Sequence, residues 1–148
     1  MTELKASRMV IGDIPQIAAW NIQLHLDEGS TPLTIAEAES RYESWIENDE
    51  YSGLVFCLND VACGYILYEY NEAGNDVRSP AYYYVRQFYI DKNCRRTGTG
   101  TKAFNMFKEM CVLTGTKINL EANISNPNGQ KFWESLGFKA CEIAYELK

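Results

Sequence analysis

The sequence carries a single histidine, His25, and its five cysteines (Cys57, Cys63, Cys94, Cys111 and Cys141) form no Cys-x-x-Cys pair. Zinc sites need clustered ligands of these types, so no metal is expected. An odd set of scattered thiols speaks against a disulfide framework and fits a reducing compartment. No apolar run approaches the roughly 18 residues that a membrane span requires. The stretch MTELKASRMVIGD lacks the charged-then-apolar order of a secretory signal, and the expected location is the cytoplasm. Basic charge is also scarce. There are 14 Lys and Arg against 20 Asp and Glu, a net charge of −6, so no nucleic-acid partner is expected. Nowhere does Gly-x-x-x-x-Gly-Lys-Ser/Thr occur, which removes a P-loop nucleotide site. The dinucleotide fingerprint Gly-x-Gly-x-x-Gly fails at its third glycine, where Ala103 stands, and no ribose-binding acid follows on a second strand.

What remains is an apolar content of 46% in 148 residues, enough for one domain, 1–148, with one core. Leu4–Ile11 reads as a first strand. Asp13 reads as the cap of a helix with Ile14, Ile17, Ala18 and Ile22 on one face, and His25–Pro32 as a connection. Thr34 and Glu37 form a capping box before Ile35, Ala38, Tyr42, Trp45 and Ile46 at helical spacing. Leu54–Leu58 and Val61–Tyr70 are strands joined at Asn59-Asp60, and Asn71–Pro80 is a long loop. Tyr82–Ile90, rich in aromatic and β-branched residues, is a strand; Ala103, Phe104, Phe107, Met110 and Cys111 mark a helix ending at Gly115. Ile118–Ile124 is a strand, Asn126-Pro127 opens a short helix that Gly137 stops, and Phe138–Leu147 is a last strand. The order predicts an α/β (α+β) domain: a mixed, mostly antiparallel sheet with one β-α-β crossover and flanking helices.

Between the Tyr82 strand and the next helix lies Arg95-Arg96-Thr97-Gly98-Thr99-Gly100-Thr101. Strand, glycine-rich turn, helix is the arrangement that points free backbone N–H groups at a phosphate. The glycines allow close approach and the arginines add charge. The pattern points to a phosphorylated cofactor gripped mainly by main chain.

These residues resemble the GNAT superfamily, the Gcn5-related N-acetyltransferases. Its signature Gln/Arg-x-x-Gly-x-Gly/Ala is met by Arg95, Gly98 and Gly100. A second signature (Asn, short helix, aromatic, Gly-Phe) is met by Asn126 through Trp133 to Gly137-Phe138. The resemblance covers about the last 95 residues well and the first half in element order only. It implies acetyl-CoA as cofactor, with the pyrophosphate on the N–H groups from Arg96 to Thr101 and on the Arg95 and Arg96 side chains. The hydroxyls of Thr97, Thr99 and Thr101 add donors. The backbone of Phe88, Tyr89 and Ile90 would pair with the pantetheine arm, one N–H polarising the thioester carbonyl. Asn126 would touch the pantetheine or cap its own helix. Trp133 stands where many members have a tyrosine that protonates the leaving thiolate; indole cannot do so, and its expected role is packing against cofactor or core. Tyr89 or Tyr145 could supply that proton, or the thiolate could leave unaided.

The resemblance implies an N-acetyltransferase, and a primary amine of a small molecule is the expected acceptor. The alternatives are an acyl-CoA-binding module with little catalysis, or a protein acetyltransferase for lysines or N-termini. Base candidates are Asp27 and Glu28, which border the acceptor pocket in this fold or else form a solvated acidic loop. Glu121 is placed by strand alternation towards the cleft or in a surface ion pair. Of Arg86 and Gln87, on opposite faces of the strand, one should line the cleft, and Gln87 is the candidate. The tyrosines Tyr65, Tyr68, Tyr70 and Tyr82–Tyr84 either line an aromatic pocket or make cross-strand pairs, and an exposed strip of them would suit a homodimer surface.

Overall fold

The computed structural model describes residues 3–74, 80–95 and 97–148. Its elements run β1 Leu4–Arg8, α1 Ile14–Asp27, α2 Ile35–Glu47, β2 Ser52–Leu58, β3 Val61–Asn71, β4 Tyr82–Ile90, α3 Thr99–Cys111, β5 Lys117–Leu120 and α4 Pro127–Ser135. The five strands lie in sequence order; β1 to β4 pair antiparallel and β4 with β5 parallel. A parallel neighbour needs a crossover, which α3 provides. The expected mixed sheet is therefore the observed one.

The α2 capping box forms as expected: Thr34 Oγ1 accepts from the Glu37 N–H (3.2 Å) and Glu37 Oε1 from the Thr34 N–H (3.1 Å). Asp13 differs. Its carboxylate accepts from the Val10 N–H (2.8 Å) and closes a single 3-10 turn, leaving α1 without a side-chain cap. Helix α1 runs on to Asp27, so the expected connection from His25 begins later, at Glu28. The first strand stops at Arg8 rather than Ile11, and α3 stops at Cys111, before a turn at Gly115.

Each sheet face carries its own core. Helices α1 and α2 cover one face with Ile14, Ile17, Trp20, Tyr42 and Trp45 against Val55, Tyr65, Leu67 and Tyr89. Helix α3 covers the other with Ala103, Phe104 and Phe107 against Leu54, Phe56, Ile66, Val85 and Ile90. Two bulges make this possible. Between β3 and β4 the register jumps, with Leu67 opposite Gln87 but Tyr68 opposite Val85, so Arg86 is the extra residue. The bulge reverses the parity of β4: Val85 faces α3, whereas Gln87 and Tyr89 two and four residues on face α1 and α2. A second bulge leaves Cys63 unpaired between Ala62 and Gly64. At Gly64 the strands approach so closely that a Cβ would sit 2.2 Å from the Tyr89 carbonyl oxygen, a position only glycine fills.

Two expected strands differ. Ile118–Ile124 shortens to Lys117–Leu120, because β5 leaves the sheet after Leu120. The expected last strand, Phe138–Leu147, has no strand pairing; residues 139–148 are all exposed. Alternation there is genuine, but a strand exists only with a partner edge. Of the expected Asn71–Pro80 loop, residues 75–79 lie outside the described residues.

Candidate active site

The parallel pairing of β4 with β5 stops at Val85 opposite Leu120, while β4 continues to Ile90. Beyond the bulge the two strands diverge, and the far edge of β4 from Arg86 to Ile90 has no strand partner among the described residues. Such an edge is a template for an extended ligand to bond as a strand would. Phe88, Tyr89 and Ile90 lie on this edge.

Just past this edge α3 begins. Gly98 adopts φ 77°, a left-handed conformation that costs glycine nothing, and no side chain caps the helix. The first helical hydrogen bond runs from the Lys102 N–H to the Gly98 carbonyl (3.1 Å). The N–H groups of Thr99, Gly100 and Thr101 precede it and lack intrahelical partners. At Gly100 a Cβ would lie 3.1 Å from Phe132 Cε1 of α4, so that first turn is tightly walled on one side. The threonines are not equivalent. Thr99 is buried, its hydroxyl 2.7 Å from that of Thr97, which in turn donates to the Cys94 carbonyl (3.2 Å); Thr101 is exposed. Arg96 lies outside the described residues.

Arg95 is held on three sides. Its Nε donates to the Ile90 carbonyl (2.7 Å), its Nη2 meets Asp27 Oδ2 (3.1 Å), and its guanidinium lies 5.0 Å from the Tyr89 ring centroid. A guanidinium has further donors, and these remain for an anion. Lys92 Nζ reaches the other Asp27 oxygen (3.4 Å). Asp27 is thus the tie between the end of α1 and the loop before α3. Partial burial raises its pKa, but hydrogen bonds from Gln23 and Arg95 and the Arg95 charge outweigh that, and the net shift is downward. The depressed value means that the ion pair adds stability above the unfolded carboxyl pKa of about 3.9, lost as pH falls below it. A carboxylate so paired is a poor proton acceptor.

Glu28 is the opposite case. Burial pushes its carboxyl up; His25 opposes this in part, and neighbouring Asp27 adds a smaller rise. Its carbonyl accepts from Ser125 Oγ (3.0 Å), a contact that ties the end of α1 to the β5–α4 loop. Glu121, just past β5, is exposed; together with burial its charge raises the Tyr84 phenol. Gln87 faces the α1–α2 side, and its Oε1 accepts from both Tyr42 and Tyr65 (2.9 Å from the latter). Burial pushes Tyr42 up to about 12 and Tyr65 well above its ordinary value, so both remain donors throughout the physiological range. With its oxygen occupied, the Gln87 amide keeps the two donors of its NH2 group.

Three residues missed in the sequence thus shape this region: Tyr42, which reads there only as core, and Ser125 and Lys92, which carry no local signal. Tyr65 is fully buried and stacks on Trp20 at 6.0 Å, so it lines no pocket; Tyr70 and Tyr83 are direct cross-strand partners 4.9 Å apart. Asn126 caps α4, its Oδ1 accepting from the Gly129 N–H (3.1 Å). His25 is a helix-end residue whose Nδ1 sits 2.9 Å from Ser30 Oγ. Trp133 packs among Phe88, Phe104, Phe132 and Phe138 at 4.9–5.5 Å. Two surface cavities, about 560 Å³ along α2 and about 230 Å³ beneath Met9 and Tyr51, are lined by residues outside the α3 turn.

A sequence model of the acetyltransferase (GNAT) family matches residues 19–138. The chain belongs to the GNAT acetyltransferase family. Solved structures of low identity share its fold. One is a possible acetyltransferase from Clostridium difficile (21% identity, TM-score 0.81, 98% of this chain and 97% of that one). Another is a predicted acetyltransferase with acetyl-CoA from Clostridium acetobutylicum (17%, TM-score 0.72, 99% and 96%). A third is the aminoglycoside N-acetyltransferase AAC(6')-Iy in complex with CoA (13%, TM-score 0.77, 100% and 95%). No helix among the described residues is long and apolar enough to cross a membrane.

Proposed function

We propose that the protein transfers the acetyl group of acetyl-CoA to a primary amine of a small molecule by direct attack. The observation that carries this is the pairing of an uncapped α3 N-terminus with a partnerless β4 edge, within a chain of the acetyltransferase family. The fold relatives that hold acetyl-CoA or CoA support the choice of co-substrate.

Acetyl-CoA supplies the activated thioester; the chain supplies everything else. The N–H groups of Thr99, Gly100 and Thr101 hold the pyrophosphate at the positive end of α3, with the free donors of Arg95 beside them. The β4 edge at Phe88–Ile90 aligns the pantetheine, and one of its N–H groups stabilises charge on the carbonyl oxygen. An alkylamine of pKa about 10 arrives protonated, so a base must act before attack. Glu28, with its raised pKa and its place beside the β5–α4 loop, is that base in our reading. Gln87 orients the amine or a relay water with its NH2 group, and Glu121 attracts cations at the rim. Asp27 serves to hold Arg95 rather than to take a proton. Trp133 has no acid to offer, and a thiol of pKa near about 8.5 leaves without one.

The reading is tested by acceptor-dependent release of CoA thiol across a panel of small polyamines, amino sugars and lysine peptides. Release with at least one small amine, exceeding that with peptides, is expected. Slow hydrolysis indifferent to every acceptor would point instead to an acyl-CoA-binding module.

A further inference from the structure

We propose that Cys63 and Cys94 are a redox pair, joined in a disulfide by hydrogen peroxide, and that the bond loosens the α3 turn and lowers acetyl-CoA affinity. Both are free thiols in the structure, Cys63 buried and Cys94 half-buried. The bulge in β3 brings them together. Tyr65 and Leu67 face α1 and α2, and unbroken alternation would turn Cys63 the same way. Instead Cys63 is the extra residue between Ala62 and Gly64, and the parity reverses there. Its side chain therefore joins the core on the α3 face, the core against which Cys94 packs. Main chain fixes the approach. The Asp91 N–H donates to the Cys63 carbonyl (2.7 Å), and the Cys94 N–H to the Asp91 carbonyl (2.8 Å). The two thiols share a hydrogen bond.

The two sulfurs differ in reactivity. Burial above all pushes the Cys63 thiol up to about 12, so it stays protonated and inert by itself. Cys94, half-buried in the turn before Arg95, is the one that meets the oxidant. Peroxide converts its thiol to a sulfenic acid and releases one water. The Cys63 sulfur then attacks the Cys94 sulfur. The S–O bond breaks, and the departing hydroxide takes the Cys63 proton and leaves as a second water. Two electrons pass from the thiols to the peroxide. Cys63 is anchored in the sheet, so Cys94 moves to close the bond, and the phosphate turn hangs on Cys94. Its carbonyl accepts from Thr97 Oγ1 (3.2 Å), and the Thr97 hydroxyl holds that of Thr99 at 2.7 Å. Arg95, the next residue, grips the Ile90 carbonyl and Asp27. Displacement of Cys94 pulls on all of these at the first turn of α3. In a reducing compartment such a bond is transient, as a sensor requires.

The loss of affinity rests on the proposed acetyl-CoA site; formation of the bond does not. The reduced full chain is treated with stoichiometric peroxide and digested without reductant, with cleavage at Asp60 to separate Cys57 from Cys63. A Cys63–Cys94 peptide, lighter by two hydrogens than its parts, is expected. Calorimetry should then find acetyl-CoA bound about tenfold more weakly, until dithiothreitol restores the affinity. Cys94→Ser and Cys63→Ala should each bind like the reduced native chain and ignore peroxide. By linkage, saturating acetyl-CoA should shift the pair's midpoint in a glutathione buffer by the same factor, about 30 mV towards the dithiol. No linked peptide, a Cys57 product in its place, or a linked chain with unchanged affinity would overturn the proposal. A reduced chain that fails to bind acetyl-CoA would contradict the proposed function and the affinity effect together, and the linked peptide alone would then decide the pair.

Discussion

Gly100→Asp should abolish acetyl-CoA binding while leaving the fold intact. The substitution acts at the second residue of α3, among N–H groups that no side chain caps. Its Cβ would press on Phe132 Cε1 at 3.1 Å, which a small ring displacement relieves. An acidic group in the first helical turn favours the helix itself, so the melting midpoint should hold. The same carboxylate occupies the anion site and repels a pyrophosphate. The expected loss is at least about 100-fold in affinity, or about 2.8 kcal/mol. Gly100→Ala separates steric from charge effects, since it keeps only the contact with Phe132; a loss below about tenfold is expected there. Unchanged affinity in the aspartate variant would mean that the phosphate binds elsewhere.

Glu28→Gln should lower kcat by about 10²–10⁴-fold, the usual range for a lost general base, and leave acetyl-CoA affinity unchanged. The sign of the pH dependence follows from the raised carboxyl. Only the carboxylate accepts a proton, so activity should rise with pH through a limb above the ordinary glutamate value of about 4.3, and Glu28→Gln should erase that limb. Stability should not suffer. A carboxyl whose pKa rises on folding opposes the folded state once ionised, above its unfolded value, so the neutral amide removes a cost. Asp27→Asn should behave differently. It frees Arg95 and Lys92 and should weaken cofactor binding modestly while sparing the pH limb. An intact limb and rate in Glu28→Gln would return Glu28 to a surface acid and leave the base unassigned.

The glycine turn was legible because its information is local. Gly98 needs a left-handed φ, Gly100 needs a bare first turn, and both needs are met within a few residues of sequence. The α2 capping box was legible for the same reason. The bulge at Arg86 was not, because it is a mismatch of β4 against β3 and no property of YYYVRQFYI alone. Its effect is large: it decides that Gln87 and Tyr89 face α1 and α2, and it opens the β4 edge. The grip on Gln87 was hidden too, since Tyr65 and Tyr42 lie 22 and 45 residues away. Asp27 and Glu28 read alike in sequence, two adjacent acids. The arrival of Arg95 from 68 residues away, with Lys92 beside it, makes Asp27 the paired one. In 139–148 alternation announces a strand but cannot name its partner.

The most direct measurement is calorimetric titration of the intact protein with acetyl-CoA, which requires no knowledge of the acceptor. The account predicts one site per chain with micromolar affinity, weakening as salt rises because charge holds the pyrophosphate. No heat and no protection of the fold at millimolar acetyl-CoA would contradict it.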